Sequence, residues 1–372
     1  MVIFMRVLIL TCNTGEGHNA AARAVKEVFD RSGVYCETAD SLAFVSQKAS
    51  NFICKWHVRL YKKAPMLFGI GYKAAEFTDR SERTMLYEIM AQGARRLRKK
   101  LAECNCDTVV CTHPFSAMTL THAVKKYKLD LHTYFVATDY TCSPGVSSSR
   151  LDYYIIPHES LKEEFEKRGI PANKLFAGGI PVSDKLVSGK TALQSKQDLL
   201  IPTEKRVILL MCGSMGCGPI KLIARKLSAL IKDDEQLVVV CGNNQKLYRS
   251  LKILDDPGRV RILGFTRNVP DYMNAAELLL TKPGGLSTTE AAENHLPMIL
   301  ISAVEGCETH NMNFWVKNGM ALTDRSPDVL CSYVRNLMDN KDALNNMRKK
   351  LEERFSYSSS DKICDFITKT AQ

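Results

Sequence analysis

Arg206-Val-Ile-Leu-Leu-Met-Cys-Gly-Ser-Met-Gly216 runs from an unbroken apolar segment into a glycine-rich turn, and helical character follows from Pro219 to Ile231. A continuous Val/Ile/Leu run fits a strand covered on both faces, as in a parallel sheet. The same order opens the chain. Phe4–Leu10 is apolar, Gly15 and Gly17 follow, and Ala20, Ala24, Val25, Val28 and Phe29 then supply the apolar face of a helix. Further short apolar runs occur at Thr108–Cys111, Thr133–Ala137, Tyr153–Ile156, Gln236–Cys241, Arg259–Leu263, Glu277–Thr281 and Met298–Ser302, with helical patterns between them. Strands alternating with helices give parallel sheets built from βαβ units. Because the theme restarts at Arg206, the reading is α/β with two doubly wound, Rossmann-like domains facing across a cleft. The expected divisions are an N-terminal domain over 1–187, a linker over 188–203, a second domain over 204–355, and a last helix over 356–372 that crosses back to the first domain.

Composition excludes several classes. Of the 372 residues, 45% are hydrophobic and 24% charged, which fits a globular protein and not a disordered or fibrous one. No run reaches the roughly 18 apolar residues of a membrane span. The thirteen cysteines are scattered, several within apolar runs (Cys12, Cys111, Cys212, Cys241). They read as reduced, buried thiols of a cytoplasmic protein. The apolar start lacks the basic flank and cleavage site of a signal peptide and reads as a first strand.

The net charge of +11 is unevenly spread. Between Lys55 and Lys100, twelve cations face four acids, an excess of eight in 46 residues. Such an excess attracts a polyanion. Within it, Phe52–Lys73 mixes Lys and Arg with Trp56, Tyr61, Phe68 and other apolar residues. Aromatics among cations suit a surface lying on a membrane. An ordinary amphipathic core helix and a nucleic-acid patch with stacking aromatics are the other two readings.

Four places carry candidate chemistry. His18 stands at the start of the first helix, where the dipole favours neutral imidazole and so a group able to take a proton; a capping or exposed histidine is the alternative. His113 and Asp139 each follow a strand, at the carboxyl ends where ligands of such sheets bind. Asp139 suits a carboxylate that orients or charge-stabilises a histidine, or one that caps the next loop. The Gly213-Ser-Met-Gly216 turn presents backbone N–H groups to a phosphate. Lys282-Pro-Gly-Gly285 is a second such turn, with Glu290 one to two turns into the following helix. There its carboxylate can accept from two ribose hydroxyls, or be a solvated helix residue. The Gly15–Gly17 turn is neither a P-loop nor a dinucleotide fingerprint, since Gly-Lys-Ser/Thr and the third glycine are missing.

Together these stretches resemble the monogalactosyldiacylglycerol synthase and processive diacylglycerol glucosyltransferase family of glycosyltransferase family 28. The matching stretches are Gly15–Ala22, His113-Pro114, Thr138-Asp139, Gly179-Ile-Pro181, Cys241-Gly-Asn-Asn244, Gly264-Phe265, Thr281–Glu290 and Glu305–Phe314. The resemblance implies a GT-B fold and inverting transfer of glucose or galactose from a UDP-sugar to a membrane lipid hydroxyl, with diacylglycerol the leading acceptor. The UDP-sugar is then a co-substrate, and neither a cofactor nor a catalytic metal is expected.

His18 becomes the general base, with Asp139 beside it. Gly213, Ser214, Met215 and Gly216 hold the diphosphate, Phe265 and Thr266 flank the uracil, Glu290 binds the ribose, and Asn244, Lys282, Gly284 and Gly285 line the donor site. Gly17, His113, Trp56, Arg59, Tyr61, Lys62, Lys63 and Phe68 meet the acceptor or the membrane. The implied partners are a UDP-hexose, a lipid acceptor and the anionic inner face of the cell membrane, bound peripherally, and not nucleic acid. Two departures stand out. Glu305-Gly-Cys-Glu308 replaces the usual Pro-Gly-Gln-Glu, putting Cys307 where a glutamine takes part in hexose recognition beside Glu308. Tyr140–Gly145 replaces the usual His- or Trp-containing segment after Thr138-Asp139.

An isomerase resembling UDP-N-acetylglucosamine 2-epimerase, and a UDP-sugar or lipid sensor with weak catalysis, are the competing readings.

Overall fold

The structure, a computed structural model, describes residues 5–13, 15–46, 65–78, 84–183, 190–211, 213, 218–355 and 358–371. Two compact units divide the chain: residues 1–183 with 304–310 and 359–372, and residues 184–303 with 311–358.

The first unit is built on a parallel sheet of β1 (Arg6–Thr11), β2 (Tyr35–Asp40), β3 (Thr108–Cys111), β4 (His132–Val136), β5 (Tyr153–Ile156) and β6 (Leu175–Ala177). Its strand order is β2-β1-β3-β4-β5-β6. The second is built on β7 (Arg206–Met211), β8 (Glu235–Val240), β9 (Val260–Leu263), β10 (Ala276–Thr281), β11 (Met298–Leu300) and β12 (Ala321–Thr323). Its order is β12-β11-β10-β7-β8-β9, again all parallel. Each sheet is doubly wound and reverses direction next to its first strand, between β1 and β3 and between β7 and β10. A crevice opens at the carboxyl ends of the strands at such a reversal. The fold thereby selects four loops: those after β1, β3, β7 and β10.

Val7, Ile9, Val110, Tyr134, Val136 and Ile155 form the first core with Val25, Val28 and Phe29 of helix Glu16–Arg31. The apolar face of that helix is Ala21, Ala22, Ala24, Val25, Val28 and Phe29, so Ala20 is replaced by its two neighbours. The last helix, Ser359–Thr370, belongs to this unit. Ile363, Cys364 and Ile367 enter the same core, Phe366 stacks on Phe176 at 3.9 Å, and Tyr134 Oη lies 2.8 Å from Thr370 Oγ1. Gly179 is left-handed at φ 98°, and a Cβ there would meet Ser359 Oγ at 2.2 Å, so the start of the last helix seats only on a glycine. Ile367→Ala is expected to cost about 2–5 kcal/mol through the cavity it leaves, read as a lower unfolding midpoint of the full chain.

The second core joins Ile208, Leu210, Leu237, Val239, Leu278, Leu280 and Ile299 to Ile223, Leu227, Leu330 and Val334. The stretch read as a linker, 188–203, carries helix Ala192–Asp198, started by a capping box between Thr191 and Gln194. Lys190 ties it down with ion pairs to Asp198 at 2.8 Å and Asp271 at 2.9 Å, and Asn274 donates to Lys190 O at 2.7 Å. This segment therefore packs within the second unit, which its polar composition concealed.

Nine of the ten described cysteines are buried, Cys307 being the exception. Burial pushes the Cys241 thiol up to about 11 and the Cys111 thiol well above its usual value, so neither is a thiolate near neutral pH. Among the described residues, no helix is long and apolar enough to cross a membrane.

Candidate active site

In the first unit the loops after β1, β3 and β4 converge on His18. It is the third residue of helix Glu16–Arg31, whose N-cap, Gly15, is extended at φ −172° and gives no side-chain cap. Gly15 is thus not needed for a left-handed turn; a Cβ there would face open space. His18 Nδ1 lies 2.9 Å from Thr112 O and 2.9 Å from Thr138 Oγ1. Thr112 Oγ1 donates in return to His18 O at 3.2 Å, fastening the helix start to the end of β3.

His113 stands edge-on to His18, with ring centroids 4.4 Å apart. Its Nδ1 accepts from Phe115 N at 3.1 Å and so caps helix Pro114–Tyr127. A backbone N–H can only donate, so neutral His113 carries its proton on Nε2 and presents a hydrogen-bond donor there. Asp139, half-buried, directly follows Thr138. A polar chain braces the first turn: Thr11 Oγ1 donates to Asn19 Oδ1 at 3.0 Å, Asn19 Nδ2 to Asn13 Oδ1 at 2.9 Å, and Asn13 Nδ2 to Asp40 Oδ2 at 2.9 Å. The sequence reading gave no site role to these residues or to Thr112, and Thr138 entered it only within the matched pair Thr138-Asp139.

In the second unit the loops after β7 and β10 meet. Gly213 is left-handed at φ 64°, and a Cβ on it would lie 4.0 Å from Lys282 Cε. Ser214, Met215 and Gly216 fall outside the described residues. Gly284 is the N-cap of helix Gly285–Glu293, with no side-chain cap and open space where a Cβ would stand. The first-turn amides of that helix are a ready anion site. Asn311 Nδ2 donates to Pro283 O at 3.0 Å and fixes the turn. Thr288 and Thr289 turn their hydroxyls back onto Gly284 O and Gly285 O, at 2.9 and 2.7 Å. Burial pushes the Glu290 carboxyl up to about 7.

Phe265 is 61% exposed on the loop after β9, an open aromatic face. Thr266 Oγ1 accepts from Asn268 N at 3.1 Å. Asn244 Oδ1 caps helix Gln245–Leu251 by accepting from Leu247 N at 3.0 Å, so that oxygen serves the fold. Cys307 and Glu308, placed with the donor residues on sequence, fall in segment 304–310, which groups with the first unit. Glu308 is buried and accepts from Val304 N at 2.9 Å, which closes the turn before helix Cys307–Lys317.

The basic segment is only partly visible. Trp56, Arg59, Tyr61, Lys62 and Lys63 lie outside the described residues, and of Phe68 only the backbone, in helix Pro65–Thr78, is described. Several of its other cations are engaged. Lys100 pairs with Glu37, Lys73 with Glu305 at 2.6 Å and Lys99 with Glu103 at 3.6 Å. Arg96 donates to Phe44 O and Val45 O, and Arg98 covers the Tyr127 ring. Leu67, Ile70 and Met85 are more than half exposed nearby in sequence. Among the described residues, no cluster of His, Cys, Asp and Glu has the arrangement of a metal site.

Residues 18–182 match the family described as monogalactosyldiacylglycerol (MGDG) synthase, and residues 207–363 match the glycosyltransferase family 28 C-terminal domain. The chain belongs to glycosyltransferase family 28. The first match lies within the first unit; the second covers most of the second unit and takes in 304–310 and 359–363 of the first. Among curated relatives of this family 28 protein is the processive diacylglycerol beta-glucosyltransferase of Bacillus subtilis, 25% identical over 99% of this chain and 96% of the relative. The enzyme of that name from Staphylococcus saprophyticus is 27% identical over 96% and 91%.

Solved structures share the fold. MurG of Acinetobacter baumannii has a TM-score of 0.63 at 16% identity, covering 98% of this chain and 99% of that one. The UDP-GlcNAc 2-epimerase of Neisseria meningitidis, bound to UDP-GlcNAc, scores 0.64 at 15% identity over 98% and 99%. The protein therefore has the GT-B fold, as the sequence resemblance implied.

Proposed function

We propose that this protein transfers a hexose, glucose or galactose, from a UDP-sugar to the hydroxyl of a membrane lipid, with diacylglycerol the leading acceptor. The observation that carries the reading is His18, fixed by Thr112 and Thr138 at the carboxyl ends of β3 and β4, where a substrate of this fold sits. The lipid oxygen attacks the anomeric carbon from the side opposite the diphosphate. Its proton passes to the imidazole, the bond to UDP breaks with its electron pair going to the diphosphate, and the anomeric configuration inverts. The charge gained by the leaving group meets backbone amides at Gly213 and the helix start at Gly285, the kind of preorganised donor that favours such a transition state. No cofactor or metal enters the scheme. Glu290 takes the ribose hydroxyls and Phe265 stacks on the uracil.

The acceptor is lipid-borne, so the protein works peripherally at the anionic inner face of the cell membrane. The basic excess before residue 100 and the exposed Leu67, Ile70 and Met85 support that placement. Neutralising Arg59, Lys62 and Lys63 together is expected to weaken vesicle binding by about 1 kcal/mol per charge. Flotation with anionic liposomes at low and high salt measures it; binding indifferent to both the charges and the salt would remove the electrostatic contribution.

The functional test is UDP release by purified protein with anionic liposomes containing diacylglycerol, using UDP-glucose and UDP-galactose separately. Release that needs both donor and lipid supports the transferase and names the sugar. UDP binding without release would turn attention to another acceptor, with Cys307 and 140–145 as the first places to look.

A further inference from the structure

We infer that Thr138 is the positioning residue of His18: with the Thr112 carbonyl it holds the ring as the Nδ1–H tautomer, leaving Nε2 to take a proton. The role of Nε2 rests on the reading of His18 as general base; the tautomer does not.

The argument turns on what each partner atom is able to do. Thr112 O is a backbone carbonyl and only accepts. At 2.9 Å from His18 Nδ1 it makes a hydrogen bond if that nitrogen carries hydrogen, and a lone-pair repulsion if it does not. Thr138 Oγ1, also 2.9 Å from Nδ1, is able to accept a share of the same hydrogen. The opposite tautomer would satisfy Thr138 as a donor but leave the carbonyl facing a lone pair. Both oxygens are met at once only with the proton on Nδ1. The assignment depends on the partners and not on an observed hydrogen.

Two acceptors converging from different strand ends also fix the ring plane. Thr138 is 7% exposed and Thr112 fully buried, so water does not compete freely for either bond. Many general-base histidines have a carboxylate in this position, orienting the ring and stabilising the imidazolium that forms. Here the oxygens at Nδ1 are a hydroxyl and a carbonyl. They select the tautomer and stabilise the protonated ring through their dipoles. His113, edge-on at 4.4 Å, carries the other tautomer, so the two rings present a proton acceptor and a proton donor side by side.

The test uses the full chain with 15N-labelled histidine, and a His18→Gln variant to assign the signals, at a pH where the imidazole is neutral. The wild-type protein is expected to show Nδ1 of His18 protonated and Nε2 unprotonated. Thr138→Val, which keeps the shape and loses the hydroxyl, should shift the His18 nitrogen signals towards tautomer exchange. In the vesicle assay it should lower kcat by about 10–100-fold, the scale seen when a hydrogen-bond partner that orients a metal-ligating histidine is removed, with KM for the UDP-sugar little changed. Thr138→Ser should restore both. A wild-type spectrum with the proton on Nε2 overturns the inference whatever the variants do. So does a Val variant with unchanged signals and unchanged kcat. If the signals respond as expected but no donor or acceptor supports transfer, the positioning role stands and the general-base reading fails.

Discussion

Replacing His18 with alanine is expected to lower turnover by about 10²–10⁴-fold, the usual contribution of a general base, and to leave UDP binding in place. The separation follows from the fold. His18 follows β1 in the first unit, whereas Gly213, Lys282, Gly284 and Glu290 follow β7 and β10 in the second. On the proposed reading, loss of the imidazole removes the proton acceptor for the attacking hydroxyl and leaves the nucleotide residues of the second unit in place. Rates of UDP release at saturating donor, set beside calorimetric UDP affinity, measure the two effects independently. A variant with wild-type turnover would strike His18 from the mechanism. One that lost UDP affinity in proportion would mean that the ring supports the donor site.

Nucleotide affinity is expected to rise with pH up to about 7 and then level off, and Glu290→Gln to abolish that dependence. Burial disfavours the charged carboxyl, so in the free protein Glu290 titrates near 7. On the proposed reading two ribose hydroxyls donate to the carboxylate form, so binding would lower this pKa and release a proton. Below pH 7 the affinity therefore falls by up to about tenfold per pH unit. At pH 8 the amide variant loses a charge-assisted bond of about 1.5–3 kcal/mol, on the order of 10–100-fold in affinity. UDP itself titrates in this range, so the informative quantity is the difference between wild type and Glu290→Gln from pH 5.5 to 8.5. Parallel curves would dismiss Glu290 as the ribose ligand. For stability the sign is opposite. The folded pKa is raised above the unfolded one, so this carboxyl's contribution is fully present below about pH 4.5 and is lost as pH rises towards 7.

The strands absent from the sequence reading, β2, β6 and β12, all lie at sheet edges. An edge strand needs no continuous apolar run, and Tyr35-Cys-Glu-Thr-Ala-Asp40 accordingly reads as polar. Central strands such as β7 and β10 are covered on both faces, and their Val/Ile/Leu runs announce them. The polar stretch around Ala192–Asp198 hides a helix for a related reason. Its hold on the second unit comes from a capping box and the Lys190 ion pairs, not from a broad apolar face.

At the candidate site, residue types and spacing were enough to single out His18, the glycine turns and Glu290, because loops after parallel strands must deliver them to one end of each sheet. Two doubly wound sheets likewise follow from alternating apolar runs and helical patterns alone. Which neighbour serves which group is another matter. Thr138 and Asp139 are adjacent in the chain and equally polar, and nothing local says which reaches His18 Nδ1; the end of β4 brings the Thr138 hydroxyl there. Thr112 contributes a backbone carbonyl, which every residue has, so no sequence signal marks it. Asn244 and Glu308 are the same lesson from the other side: each has a side-chain oxygen engaged by nearby backbone. Composition and periodicity encode which surfaces must be buried, and hence the sheets and the ends at which chemistry is possible. The pairing of individual polar atoms depends on ångström-scale distances between strand ends far apart in the chain, which arise only when the sheet forms.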